Sequence, residues 1–154
     1  MFGFLKKSNV LYAPVKGQSI RLADVPDPVF AEKLLGDGVA FTFDTDVICA
    51  PCDCEIIMVA DTKHAIGIRL SNKAEVMIHI GLDTVNLGGE GFKVLVNEHE
   101  KVKKGQPIVK IDRKIFEKNN INLITPMIIT SKDQEIKINE PGEVDTDTVV
   151  IQFQ

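Results

Sequence analysis

The feature that most constrains the fold of this chain is a series of short segments rich in Val and Ile, separated by turns that contain Pro and Gly. Segments of this length and composition are typical of β-strands, and their close spacing is typical of a sandwich or barrel. No long stretch keeps the period of an amphipathic helix, so the sequence predicts an all-β sandwich or barrel. The clearest strand candidates are residues 55–60, 65–70, 75–80, 107–112, 122–130 and 148–153.

Two short stretches have the residues of a helical turn. Residues 29–35 follow Asp27 and Pro28, which suit the cap and the first turn of a helix. Gly36 can end this helix, and residues 113–119 are the second candidate. The sequence therefore predicts one or two short helical turns within the β structure.

The chain also contains two pairs of related segments. Residues 13–17 (Ala-Pro-Val-Lys-Gly) are echoed by residues 50–54 (Ala-Pro-Cys-Asp-Cys), and residues 103–109 are echoed more loosely by residues 142–149. Each segment is a turn that leads into an apolar strand. Because the period is irregular, these echoes predict duplicated hairpin units in one sheet system and not a solenoid.

Size and composition narrow the class of protein further. The 154 residues, with 44% hydrophobic and 26% charged side chains, match an average globular domain. A net charge of −4 argues against a general nucleic-acid binder, which needs a basic surface. Three cysteines, no tryptophan and no export signal favour a reducing, cytoplasmic setting, and no apolar run approaches the length needed to span a bilayer. We expect a single domain over residues 1–154, with residues 1–9 as a flexible tail.

Two of the three histidines flank a recognisable hairpin. If the turn leaves Leu70 opposite Glu75, the ladder places Ile66 opposite His79. His64 is then the diagonal neighbour of His79 on the same face, with Cβ atoms roughly 7 Å apart. A loop of three residues would instead put the two rings on opposite faces, so the register decides this prediction.

A pair of imidazoles on one face has two functional interpretations. One neutral ring nitrogen can act as a nucleophile while the other ring donates to an incoming anion. Metal binding is the alternative, although two histidines are too few for a closed zinc site. A second possible metal motif is Cys49, Cys52 and Cys54, but no further Cys or His cluster follows, and we expect small buried side chains there. His99 lies in a polar turn, where we expect a solvated side chain.

Several segments, in order and with similar spacing, resemble the glucose-type enzyme IIA family of the bacterial phosphoenolpyruvate-dependent sugar phosphotransferase system. The most specific is Thr-x-His-Ala ending in Ala65, with a His-x-Gly-x-Asp-Thr-Val segment that begins at His79. The resemblance extends from about Val10 to the C-terminus and implies an antiparallel β-sandwich with both histidines in a shallow depression. The matching segments are residues 25–33, 36–40, 62–65, 79–85, 89–92 and 125–126.

The resemblance also implies roles for four residues. His79 matches the family's phosphorylated histidine, which is modified on Nε2, and His64 matches the second histidine, which supports the phosphoryl group. Thr62 matches a threonine that helps to hold the pair by hydrogen bonding. The carbonyl of Gly81 is expected to accept from Nδ1 of His79, which leaves Nε2 free to attack.

Partner-binding residues follow from the same resemblance. Asp27 and Asp83 match an acidic rim around the site. The family often has aromatic side chains where this chain has Ala60 and Met77, which implies a smaller, more pliable surface here. Cys54 replaces a glycine of the family, and a strained turn is expected if that position needs a positive φ. The apolar docking residues are Val29, Leu34, Leu35, Met77 and Val85.

The function implied is that of a phosphoryl carrier. The phosphocarrier protein HPr would phosphorylate His79, and the group would then pass to a cysteine of a sugar-specific IIB domain. The resemblance implies a monomer that needs no cofactor and no metal for transfer. The alternative is a regulator that binds other proteins according to its phosphorylation state, through the same face. A biotin or lipoyl carrier would present a lysine such as Lys73 at a hairpin tip, but the neighbours of Lys73 differ from the motifs of those carriers.

Overall fold

The computed structural model describes residues 10–154, so the prediction of a flexible tail over residues 1–9 lies outside the described residues. The strands are β1 Val10–Tyr12, β2 Gly17–Arg21, β3 Asp37–Phe43, β4 Val47–Cys49, β5 Cys54–Val59, β6 Ala65–Arg69, β7 Glu75–His79, β8 Phe92–Val94, β9 Lys101–Val102, β10 Pro107–Ile111, β11 Thr125–Ile129, β12 Ile136–Ile138, β13 Glu143–Val144 and β14 Val149–Phe153. The helices are α1 Pro28–Ala31 and α2 Arg113–Lys118, with short 3₁₀ turns at Leu22–Asp24 and Thr84–Leu87.

The strands form one large sheet and two small ones. The large sheet has the order β13-β2-β3-β11-β7-β6-β5-β9, and the small sheets have the orders β1-β14-β12 and β4-β10-β8. Neighbouring strands pair antiparallel throughout the described sheets. The prediction of an all-β, mostly antiparallel fold with two short helices is therefore confirmed. Within residues 10–154, neither helix has the length and apolar character that a membrane crossing requires.

The predicted duplication is visible as two loops that bind each other reciprocally. The amide of Tyr12 donates to the carbonyl of Pro51 at 2.8 Å, and the amide of Cys49 donates to the carbonyl of Pro14 at the same distance. These donors and acceptors occupy equivalent places in the two copies. The strands that begin at the ends of the two loops, β2 and β5, also have equivalent partners: β13 pairs with β2, and β9 pairs with β5. The repeated segments are thus structural equivalents, and the fold is built from two related hairpin units.

The two copies differ at the last position of the echoed segment, where the first copy has Gly17 and the second has Cys54. A Cβ atom on Gly17 would lie 2.1 Å from the carbonyl oxygen of Thr42, so the close approach of a neighbouring strand requires glycine there. Cys54 lies in β5 and does not have a positive φ. The positive φ on which strain at Cys54 was conditional is therefore absent, because the glycine in the first copy is needed for space and not for its φ.

Both helices are capped by aspartate side chains. Asp27 accepts a hydrogen bond from the amide of Val29 at 3.0 Å, and Asp112 caps α2 in the same manner. The predicted second helix is confirmed, whereas the first is shorter than predicted. It ends at Ala31, with Glu32 as its C-cap, because Lys33 adopts a left-handed conformation with φ 58°, which a continuing helix cannot accommodate.

Apolar side chains on the large sheet separate into two groups because they alternate along each strand. The main core takes Val39 and Phe41 from β3 and Ile78 from β7. The residues between them, such as Ala40, face the other side and form a smaller cluster with Phe30 of α1. Alternation along β7 places Met77 and His79 on this second side, beneath α1. The members of the smaller cluster are Leu22, Val25, Phe30, Ala40, Leu82 and Ile128.

Candidate functional site: a histidine pair beneath α1

The hairpin that carries the two histidines has a different register from the predicted one. Arg69, and not Leu70, lies opposite Glu75, and Ala65 lies opposite His79. The amide of Leu70 donates to the carbonyl of Ala74 at 2.9 Å, which closes a loop of three residues. The predicted register was therefore wrong, and strand alternation alone would place the two imidazoles on opposite faces.

The rings nevertheless meet, because His64 lies just before β6 and is not bound by its alternation. Lys63 has a left-handed conformation with φ 62°, and it turns the chain immediately before His64. The amide of Ile80 donates to the carbonyl of His64 at 2.7 Å, which holds this segment to the end of β7. The ring centroids of His64 and His79 are 4.9 Å apart at an angle of 77°. The cross-strand partner Ala65 places only a methyl group beside them.

The hydrogen bond of His79 determines which of its nitrogens is free. Nδ1 of His79 lies 2.8 Å from the carbonyl oxygen of Gly81. A carbonyl oxygen can only accept, so Nδ1 carries the hydrogen and Nε2 keeps its lone pair. Gly81 has φ 79°, and a Cβ atom there would lie 2.6 Å from Cγ2 of Thr84. Glycine is therefore needed at this position both for its φ and for its small size.

His64 makes a short hydrogen bond to a neighbouring side chain. Its Nδ1 lies 2.6 Å from Oγ1 of Thr62. A hydroxyl group can donate or accept, so this bond is compatible with either tautomer of the ring. Thr62 and His64 are both half-buried, and they lie on the two sides of the left-handed Lys63. The structure thus brings Thr62, His64, His79 and Gly81 into one site.

Burial lowers the pKa of both histidines. For His79, loss of solvent lowers the pKa from its ordinary value of 6.5, and the bond to Gly81 and the charges of Asp27 and Asp83 oppose this effect. For His64, burial again has the largest effect, and the neighbouring His79 lowers the pKa further. Both rings are therefore neutral at pH 7, which leaves Nε2 of His79 unprotonated.

Phe30 contacts His79, although the sequence alone did not indicate that Phe30 belongs to the site. The ring centroids of Phe30 and His79 are 5.0 Å apart, and Phe30 is only 4% exposed. Its position follows from α1, since the cap at Asp27 begins the helix just before Phe30. The sequence signal for this contact was limited to an aromatic residue three positions after the predicted cap at Asp27.

The two carboxylates of the predicted acidic rim lie on the segments that surround His79. Asp27 is half-buried at the start of α1, and Asp83 is exposed and left-handed, with φ 58°. Each acts electrostatically on His79 and raises its pKa. Their negative charge is thus directed at the ring, as well as at any partner that approaches it.

Four of the predicted docking residues expose large apolar side chains, and the fifth does not. Exposed apolar groups of this kind next to a polar centre are typical of protein-binding surfaces. Met77 is half-buried and packs against the small cluster beneath α1, so it contributes less open surface than the others. We call the exposed four the apolar rim: Val29 at 39%, Leu34 at 66%, Leu35 at 46% and Val85 at 52% exposure.

Comparison with known proteins identifies the family. A family model described as "phosphoenolpyruvate-dependent sugar phosphotransferase system, EIIA 1" matches residues 9–135. The chain belongs to this EIIA family. Membership makes it a phosphotransferase component of a sugar transport system.

Two relatives agree with this assignment to the EIIA family. The chain is 41% identical over 137 residues to the "PTS system glucoside-specific EIICBA component" of Staphylococcus carnosus (strain TM300). That match includes 88% of this chain but spans only 20% of the relative's length. The solved structure of glucose permease IIA from Mycoplasma capricolum superimposes with a TM-score of 0.86 at 36% identity, over 92% of this chain and 94% of that one.

The cysteines lie apart from the histidine pair of this EIIA chain. Cys52 and Cys54 are buried, as predicted, and Cys49 is half-buried. A hydrogen bond with Cys54, together with burial, raises the pKa of Cys52, and burial raises that of Cys49. Both effects disfavour the reactive thiolate. In the part of the chain that the structure describes, no group of three or more His, Cys, Asp or Glu side chains is arranged to hold a metal ion.

Proposed function

We propose that this EIIA chain is a phosphoryl carrier that accepts the group from phospho-HPr on Nε2 of His79. The observation that carries this proposal is the 2.8 Å contact between Nδ1 of His79 and the carbonyl of Gly81. That contact keeps the hydrogen on Nδ1 and leaves the lone pair of Nε2 free on the half-buried His79. The lowered pKa of His79 keeps the nucleophile unprotonated at neutral pH.

In the transfer step, the lone pair of Nε2 attacks the phosphorus atom of the donor's phosphohistidine. The new N–P bond forms as the donor's N–P bond breaks, and the donor nitrogen keeps the bonding electron pair. His79 retains its hydrogen on Nδ1, so the ring becomes positively charged. The carbonyl of Gly81 and the carboxylates of Asp27 and Asp83 favour that charge. These groups therefore stabilise the product of the attack.

We assign His64 to stabilising the transferred group. When the hydroxyl of Thr62 donates to Nδ1 of His64, the hydrogen of that ring is on Nε2. The ring centroids of His64 and His79 are 4.9 Å apart. An Nε2–H group on His64 is therefore close enough to donate to an oxygen of a phosphoryl group on His79. This donor matters most when negative charge is spread over the equatorial oxygens in the transition state.

We propose that the partners approach the site in turn across the apolar rim. The exposed side chains of the rim supply contact area, while Asp27 and Asp83 attract a basic surface such as that expected of HPr. The acceptor is then a cysteine of a sugar-specific IIB domain. The name of the Staphylococcus carnosus relative, an EIICBA component, supports a IIB acceptor. A carrier between these partners would act in the cytoplasm.

A reconstituted reaction tests the proposal. Enzyme I, HPr and radiolabelled phosphoenolpyruvate are mixed with the wild-type chain, with His79→Gln and with His64→Gln. Label should appear on the wild type and on His64→Gln, and not on His79→Gln. Onward transfer from His64→Gln to a IIB domain should slow by roughly 10²–10³, the usual effect of losing one charge-stabilising donor. Label on His79→Gln, or full-speed transfer by His64→Gln, would show that the roles are assigned wrongly.

A further inference from the structure

The turn that follows β7 is closed by a buried threonine. Oγ1 of Thr84 donates to the carbonyl oxygen of Ile80 at 2.7 Å, and Thr84 is 0% exposed. The bond joins the two ends of a five-residue segment, and Gly81 lies inside it. The carbonyl that orients His79 therefore belongs to a turn whose closure depends on one side chain.

The methyl group of Thr84 lies close to Gly81 in the same turn. A Cβ atom built on Gly81 would lie 2.6 Å from Cγ2 of Thr84 and 3.2 Å from the carbonyl oxygen of Asn122. Gly81 is thus enclosed between the Thr84 side chain and the backbone at Asn122. Gly81 has φ 79°, and these neighbours leave no room for a larger side chain at this point of the turn.

Backbone groups hold the turn at two other points. The amide of Ile80 donates to the carbonyl of His64 at 2.7 Å, and the amide of Leu82 donates to the carbonyl of Asn122 at 2.8 Å. These bonds fix the residues on either side of Gly81 but do not close the turn. Thr84 supplies the closing contact through its hydroxyl group.

We propose that Thr84 is a positioning residue for His79. It holds the carbonyl of Gly81 on Nδ1 of His79 and so maintains the tautomer that exposes Nε2. Thr84 itself touches no reacting atom. The kinetic consequence of this inference rests on the proposed function, but the tautomer of His79 can be measured without any phosphoryl transfer.

Two substitutions distinguish the hydroxyl group of Thr84 from its methyl group. Thr84→Val keeps the shape beside Gly81 and removes the donor to Ile80, whereas Thr84→Ser keeps the donor and removes the methyl group. Thr125→Val is the matched control, because Thr125 is also 0% exposed and its Oγ1 donates to the carbonyl of Leu123 at 2.9 Å. That bond lies outside the turn between Ile80 and Thr84.

The test is ¹⁵N NMR of the histidine rings in the full chain, with rates of phosphorylation by phospho-HPr measured in parallel. Wild type, Thr84→Ser and Thr125→Val should show the hydrogen of His79 on Nδ1. Thr84→Val should show a mixture of tautomers and a phosphorylation rate lower by roughly 10-fold or more, as expected for a misplaced reacting group. If valine prevents folding, Thr84→Ala repeats the test without the second methyl group.

Three results would overturn the inference: wild-type ring shifts in Thr84→Val, an equal loss of the tautomer in Thr125→Val, or a wild-type His79 whose hydrogen is on Nε2. Failure of the proposed function gives a different result. In that case the wild type takes no label from phospho-HPr, while the change of tautomer in Thr84→Val is still observed.

Discussion

The imidazole rings of His64 and His79 are in contact although the strand register places the two residues on opposite faces of their hairpin. Their centroids are 4.9 Å apart, in an edge-to-face arrangement. The left-handed Lys63 resolves this conflict, because it turns the chain before β6 begins. The geometry of the site thus depends on one residue in an unfavourable backbone conformation, which gives the first prediction.

Replacing Lys63 should change the placement of His64 without preventing phosphorylation of His79. Lysine already carries the cost of φ 62°, and a β-branched valine is more strained there, so Lys63→Val should lose stability and slow transfer from His79 to a IIB domain. Lys63→Gly relieves the strain and should keep both stability and transfer. Urea unfolding and label-transfer rates measure these effects. Equal transfer rates in the valine and glycine variants would show that this conformation does not position His64.

Stability should fall as the pH falls below about 6.5. The folded-state pKa values of His64 and His79 are lower than the ordinary value of 6.5, so the unfolded chain binds more protons in this range. Neutral histidines therefore stabilise the fold above this pH, and the contribution is lost as the pH decreases. Urea unfolding at a series of pH values should show a smaller loss for His79→Gln than for the wild type. The same loss in both would mean that His79 is not the titrating group.

The contact with Phe30 should help to keep His79 neutral. Phe30→Leu opens space beside the ring and admits water, so the pKa of His79 should rise towards its ordinary value. Phe30→Ala should also cost about 3–5 kcal/mol of stability, as expected for truncating a buried phenylalanine. An NMR titration of the His79 ring in Phe30→Leu is the cleaner measurement. An unchanged or lower pKa would contradict this role of Phe30.

Asp27 has two effects that can be measured separately. Asp27→Asn keeps a side chain that can cap α1 but removes the charge, so the pKa of His79 should fall further and docking of HPr should weaken most at low salt. Asp27→Ala should show the same electrostatic changes and lose about 1 kcal/mol of stability with the cap. A salt-independent docking rate in the wild type would contradict the electrostatic part of this account.

The fold was predictable because its strands are short, apolar and separated by Pro and Gly. Even the duplication was visible at residues 13–17 and 50–54, and the two loops bind each other. The length of α1 was not predictable, because no local rule requires Lys33 to become left-handed. That conformation ends the helix locally: the amides of Lys33 and Leu34 donate to the carbonyls of Phe30 and Val29, in a motif that usually has glycine at the left-handed position.

The contact between the two histidine rings was predicted for a partly incorrect reason. The sequence placed His64 and His79 on one face by assuming a register in which Leu70 lies opposite Glu75. The loop contains three residues, and the left-handed Lys63 brings the rings together instead. Backbone conformations of single turn residues carry little sequence signal when the residue is lysine. The contact of Phe30 with His79 was not predicted, because it joins α1 and β7, which are far apart in the sequence.

The most direct measurement is the position of the phosphoryl group on the phosphorylated chain. Wild-type protein with ¹⁵N-labelled histidine is phosphorylated by phosphoenolpyruvate, enzyme I and HPr, and the ring nitrogens are observed by NMR. We expect phosphorus on Nε2 of His79, with the hydrogen still on Nδ1 and still directed at the carbonyl of Gly81. Phosphorus on Nδ1 of His79, or on either nitrogen of His64, would contradict this expectation.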